Sequence, residues 1–209
     1  MTRSHARHRL FSTGNLVRMA VLTAISAVLF LTFEIPIIPP MYKLDFSNIP
    51  VLLGSFAMGP WAGMIVLLLK NVVQLIFRGL GSTMGIGNLA DVLTGAAYLL
   101  PAAFIYQHKK TRKGALIGMG AGVLCQVIVA VIVNYLVMIP FYINAYHMSI
   151  DKIVSYATKV IPFVDTEWKF YFLACAPFNL LKAVVISLIT YLIYKPLSPI
   201  LHNKQLTQN

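Results

Sequence analysis

Between about residue 15 and residue 194 the chain is a succession of apolar runs, each bounded by prolines, glycines or a cluster of basic residues. A run of roughly 20 apolar residues is what a helix needs to cross the hydrocarbon core of a bilayer. Only 11% of the residues are charged and 58% are hydrophobic, against about 25% charged in an ordinary soluble domain. This excludes a water-soluble fold, and 209 residues leave no room for a soluble catalytic domain beside the spans. The sequence therefore predicts an all-α integral membrane protein, a compact six-helix bundle forming one domain over 1–209, with a basic tail at 1–14, the bundle at about 15–195 and a second tail at 196–209.

The spans are expected at Asn15–Ile37, Ile49–Met58, Trp61–Phe77, from Asn88 or Asp91 to Tyr106, Gly114–Ile139 and Phe170–Tyr194. Pro36, Pro39 and Pro40 end the first, and Gly59-Pro60 separates the second from the third, because proline lacks the amide that would continue a helix. Pro140 ends the fifth. A short amphipathic helix is expected at 148–160, within the long polar and aromatic connection 140–169.

The chain carries 17 Lys+Arg against 6 Asp+Glu, a formal net charge of +11. In a soluble protein that would suggest nucleic acid. Here the basic residues cluster beside apolar runs, at Arg3, Arg7 and Arg9, at Lys109-Lys110-Thr111-Arg112-Lys113 and at Lys195 and Lys204. Six spans put all of these on one side, which the positive-inside rule makes the cytoplasm. Both termini are thus expected there, in a multi-pass protein of a cell membrane whose partner is the lipid bilayer and not nucleic acid. The longer connections around 38–48, 78–87 and 140–169 face outward. No cleavage site follows the first apolar run, so it reads as a signal anchor.

Polar side chains inside apolar runs are costly and need a partner or a purpose. Asn179 and Lys182 are three residues apart, on one face of the sixth span. Asn134 lies toward the outer end of the fifth. Lys70, Asn71 and Gln74 in the third span and Asp91 in the fourth complete the set. Two readings are open: a salt bridge of Lys182 or Lys70 with Asp91 that holds the bundle together, or a solute cavity in which amides meet the donors and acceptors of a planar heterocycle and Tyr42, Phe46, Tyr135 and Phe178 cover its faces. Glycines at 79, 81, 85 and 87 favour a loop able to approach a ligand. Ala20, Ala24 and Ala27 place small side chains along the first helix, either for packing within the bundle or as a docking face for another protein.

No P-loop motif is present, so the chain has no such site with which to power transport itself. The histidines are scattered, neither a metal-binding motif nor a carboxylate pair occurs, and Cys125 and Cys175 sit in apolar runs. An enzyme is not expected, nor a metal or a cofactor. A secondary transporter would want an acidic coupling residue at mid-membrane, for which Asp91 is the single candidate, or a repeat of broken helices.

The combination of Lys43-Leu44-Asp45-Phe46-Ser47-Asn48-Ile49-Pro50, Leu69-Lys70-Asn71, Gly85-Ile86-Gly87-Asn88-Leu89-Ala90-Asp91, Asn134-Tyr135 and Pro177-Phe178-Asn179-Leu180-Leu181-Lys182 resembles the riboflavin-binding S components of energy-coupling factor (ECF) transporters. The resemblance runs from the first helix to the sixth. It implies a non-enzymatic subunit that captures riboflavin, as transported ligand and not cofactor, from outside, with release driven by a T component and two ATPases. By the same resemblance Asn134, Asn179 and Lys182 are polar contacts to the flavin. Tyr42, Leu44, Asp45 and Phe46, and then Ser82, Met84, Gly85, Gly87 and Asn88, belong to an outer cover. Ala20, Ala24 and Ala27 become the surface on which the T component docks. An S component for another vitamin remains the nearest alternative.

Overall fold

The computed structural model describes residues 10–38, 41–80 and 84–201, without the side chains of 195–201. It is mostly helical. Five helices are long and apolar enough to cross a membrane by length and composition: Thr13–Thr32, Pro60–Arg78, Ile86–His108, Arg112–Tyr146 and Glu167–Tyr194. A shorter apolar helix, Asn48–Met58, joins them. In chain order the elements are α1 (Thr13–Thr32), β1 (Glu34–Ile38), β2 (Tyr42–Asp45), α2 (Asn48–Met58), α3 (Pro60–Arg78), α4 (Ile86–His108), α5 (Arg112–Val133), α6 (Ile139–Tyr146), α7 (Ile150–Thr158), α8 (Glu167–Lys169) and α9 (Ala176–Leu201). π-Helical turns at Asn134–Met138 and Phe170–Cys175 link α5 to α6 and α8 to α9.

The first span ends earlier than the run to Ile37 implied. From Glu34 the chain is extended and pairs antiparallel with β2, Glu34 opposite Asp45 and Ile35 opposite Leu44, with an irregularity between Pro36 and Ile38. Pro36 accounts for the change, since it disfavours a helical Ile35 and offers no amide of its own, and the β-branched Ile35, Ile37 and Ile38 suit a strand. A two-stranded hairpin thus interrupts the all-α expectation.

This hairpin does not stay at the surface. Its far end reaches the middle of the bundle, where the Ser26 hydroxyl on α1 donates to the Ser47 carbonyl at 2.5 Å and Lys182 on α9 meets Asp45. From there α2 continues the chain, its 11 residues rising about 16 Å. At its end Gly59, at φ +105°, turns the chain beside Gln107, near the last turn of α4. Asp45, Ser47 and Asn48, at the junction of the hairpin with α2, are all buried.

The fifth span also differs from expectation: the helix continues past Ile139 to Tyr146. Its π-helical turn precedes Pro140, which falls in the first turn of α6, where its missing amide has least cost. The amphipathic helix appears as α7, with Ile153, Val154 and Ala157 buried and the Ser149 side chain capping the Lys152 amide.

At the end that carries Lys109, Lys110, Arg112 and Lys113, all exposed, α4 and α5 lie almost backbone to backbone. A Cβ at Gly118 would come within 2.5 Å of the Ala102 carbonyl oxygen, and one at Gly122 within 2.4 Å of that of Tyr98. Glycine is required there by close approach. Around this seam Leu52, Phe56, Met119, Ala183 and Ile186 form an apolar core. At the opposite end Tyr42, Ile139, Ile153, Phe170, Tyr171 and Phe178 form a second, aromatic cluster beneath α7.

Candidate functional site

A cavity of about 470 Å³ opens at the hairpin end, between the hairpin, α3, α4, the π turn after α5, and α9. This lies in the range of small-molecule sites, roughly 300–1,000 Å³. One side is aromatic. Tyr42 stacks with Phe178, ring centroids 4.9 Å apart, and with Phe170, 6.0 Å apart, each within 26° of parallel.

The other surfaces are polar, and each polar group is presented by a specific local structure. The π turn after α5 brings Asn134 to the wall. Its amide donates to the Ala130 carbonyl at 2.8 Å, and its Oδ1 accepts from the Tyr42 hydroxyl, also at 2.8 Å. Asn179, one turn into α9, donates to the Cys175 carbonyl at 2.9 Å. Its Oδ1 receives no hydrogen bond among the described residues. Three residues on, the Lys182 ammonium sits 2.7 Å from Asp45 Oδ2 and 4.0 Å from Asp91 Oδ1.

From α3 and α4 comes an amide chain. Asn71 donates to Asp91 Oδ2 at 3.0 Å, and Asn88 donates to Asn71 Oδ1 at 3.1 Å and to Gln74 Oε1 at 2.5 Å. Gly85, at φ +82°, caps the start of α4 and so sets where Gly87, Asn88 and Asp91 emerge. At the mouth Arg78 reaches Glu34 at 2.8 Å and the Leu31 carbonyl at the end of α1 at 2.9 Å, a favourable place for a cation because helix C-termini carry partial negative charge. Lys43 shares the same Glu34 at 3.0 Å.

Of the residues singled out by sequence, Tyr42, Asp45, Gln74, Gly79, Gly87, Asn88, Asp91, Asn134, Phe178, Asn179 and Lys182 line this one cavity. Other described residues among them stand off the wall. Leu44 pairs with Ile35 across the hairpin. Phe46 packs on the inner core, captured by apolar side chains. Met84 points outward, more than half exposed, and Gly85 acts through its backbone. Tyr135 stacks on Trp168 at 6.5 Å, away from the cavity. Ser82 and Gly81 lie outside the described residues.

Lys70 bonds Asp91 at 3.0 Å as an internal salt bridge, while Lys182 faces the cavity. Sequence reasoning passed over Glu34 and Arg78, which also line the cavity. With six acidic residues in the chain, an acid at the edge of an apolar run was the available signal. On α1, Ala20 and Ala24 are exposed, whereas Ala27 is 4% exposed and turned into the bundle.

The family described as ECF transporter, substrate-specific component, matches residues 14–194. The chain belongs to this family of S components. Among its relatives, riboflavin transporter RibU of Staphylococcus aureus (strain TCH60) is 36% identical over 186 residues, covering 88% of this chain and 89% of that protein. Riboflavin transporter FmnP of Bacillus subtilis (strain 168) is 30% identical over 185 residues, covering 88% and 92%. A solved S component of a bacterial ECF transporter superposes with a TM-score of 0.66 at 34% identity, covering 89% of this chain and 96% of that one. The S component is therefore a membrane transport protein, not an enzyme.

Proposed function

We propose that this S component captures riboflavin from outside a bacterial cell and delivers it to a T component and two ATPases, which drive its release inside. The observation that carries the reading is the composition of the cavity wall. Riboflavin is a flat ring system with carbonyls and an imide N–H at one edge and a polyhydroxyl tail on the other side. The Asn179 Oδ1 suits the imide, Asn134 and the Lys182 ammonium suit the carbonyls, and Gln74, Asn88, Asp91 and Thr94 suit the hydroxyls. The aromatic group around Tyr42 offers a flat apolar surface to the ring. The names of the relatives support the same ligand.

In this reading α2, with the hairpin end above it, makes the second of six crossings, both termini are cytoplasmic, and the cavity opens outward, opposite Lys109–Lys113. Ala20 and Ala24, exposed on α1, form the docking stripe, and Ala27 supports it from within.

The experiment pairs binding with uptake. The double variant Ala20→Leu with Ala24→Leu enlarges the exposed stripe and should abolish cellular flavin uptake and co-purification with the ATPases, while the isolated subunit binds flavin as before. Uptake that persists in a host lacking every coupling ATPase would refute the coupling and favour an autonomous carrier.

A further inference from the structure

Lys70 is 2% exposed, yet it is no part of the cavity wall. Its three N–H groups all have partners: Ser47 Oγ at 2.7 Å, Asn48 Oδ1 at 2.6 Å and Asp91 Oδ2 at 3.0 Å. No donor is left for a ligand. The partners in turn define a pattern around Lys182. Asp91 gives Oδ2 to Lys70 and turns Oδ1 toward Lys182, 4.0 Å away. Asp45 gives Oδ1 to the Ser47 amide at 3.0 Å and hydroxyl at 2.5 Å, and Oδ2 to Lys182. Each carboxylate is therefore gripped by one oxygen from the Lys70 side, directly or through Ser47, and offers its other oxygen toward the cavity lysine.

We propose that Lys70 is a positioning residue for ligand capture: it touches no ligand, but holds Asp91 and, through Ser47, Asp45, so that the Lys182 ammonium is fixed at the cavity wall. The inference rests on the riboflavin reading for its main readout. Two lysines and two aspartates form a charge-balanced group spanning α3, α4, the hairpin and α9. Without the Lys70 charge, Asp91 has one cation left in reach, and Lys182 is drawn from Asp45 toward it. The wall loses its aligned ammonium and the hairpin its tie to α9.

The test is a double-mutant cycle on the purified full chain, read by riboflavin fluorescence quenching. Lys70→Met should weaken binding about tenfold to a hundredfold, the usual range for coupled charged neighbours. In a Lys182→Met background the same change should alter affinity by less than about threefold, because its effect passes through Lys182. Losses that add in the double variant, or unchanged affinity in folded Lys70→Met, would overturn the proposal. If Lys70→Met does not fold, Lys70→Gln, which removes the charge but keeps an N–H donor toward Ser47 and Asn48, replaces it, with the same dependence on Lys182 expected and additivity again contradicting it. A ligand-free readout separates this inference from the riboflavin reading: peptide-mapped acetylation of Lys182 should slow several-fold in Lys70→Met, because Lys182 then faces both aspartates alone and acylation needs the neutral amine. An unchanged rate would refute the positioning role even if the wild type binds no riboflavin.

Discussion

The two ends of the bundle are stabilised in different ways. At the Lys109–Lys113 end α4 and α5 meet through Gly118 and Gly122 with backbone nearly touching backbone, around a core of apolar side chains. At the hairpin end helices give way to strands and π turns, and four elements are joined by lysines, aspartates and amides around a cavity. Shape complementarity fixes the first region, directional pairing the second. A close-packed seam has one arrangement, whereas a polar wall can exchange its internal partners for those of a ligand. The contrast places rigidity where helices must be held and recognition where they part.

Gly118→Leu is the harshest way to break that contrast. Its side chain meets the Ala102 carbonyl, and overpacking against backbone should cost about 3 kcal/mol or more, seen as a large fall in the thermal unfolding temperature in detergent. Wild-type stability would show that α4 and α5 do not depend on close approach.

Asn179→Leu should act in the opposite sense, on ligand and not on fold. One hydrogen bond lost in a desolvated site corresponds to about 1–3 kcal/mol of flavin affinity, with the unfolding temperature little changed. If stability falls and affinity holds, the amide serves the helix through Cys175 alone.

Tyr42→Phe sharpens the comparison within the hairpin end. It keeps the ring stacked with Phe170 and Phe178 but removes the hydrogen bond to Asn134, and should raise the flavin dissociation rate roughly fivefold, the equivalent of about 1 kcal/mol. No change in rate would mean that stacking alone holds the hairpin.

The smallest effect is expected at the mouth. Glu34→Gln loosens Arg78 and Lys43, and partly exposed ion pairs are worth under about 1 kcal/mol, so stability and affinity should shift by little and the shift should shrink in high salt. A loss comparable to that of Asn179→Leu would make the mouth part of the recognition surface.

Much of the helical frame was legible in the sequence because apolar runs and basic clusters act through composition. The third helix was expected at Trp61–Phe77 and forms at Pro60–Arg78, and α7 falls within 148–160. Polar residues out of place in apolar runs, Asn134, Asn179 and Lys182 among them, were visible for the same reason, and they converge on one cavity. What composition could not show was conformation and pairing. Pro36 converts the end of the first apolar run into a strand, and a π turn lets the fifth continue through Pro140. Lys70 and Lys182 look alike as lysines in apolar runs. Only the fold separates the one enclosed by Ser47, Asn48 and Asp91 from the one on the wall.

The measurement that bears most directly on this account is titration of the purified S component with riboflavin, followed by flavin fluorescence, beside Lys182→Met in the same detergent. The account predicts saturable quenching at one flavin per chain in the wild type, and marked weakening in a variant that still unfolds cooperatively. A folded wild-type protein that leaves flavin fluorescence unquenched, or a variant that binds as tightly as the wild type, would contradict it.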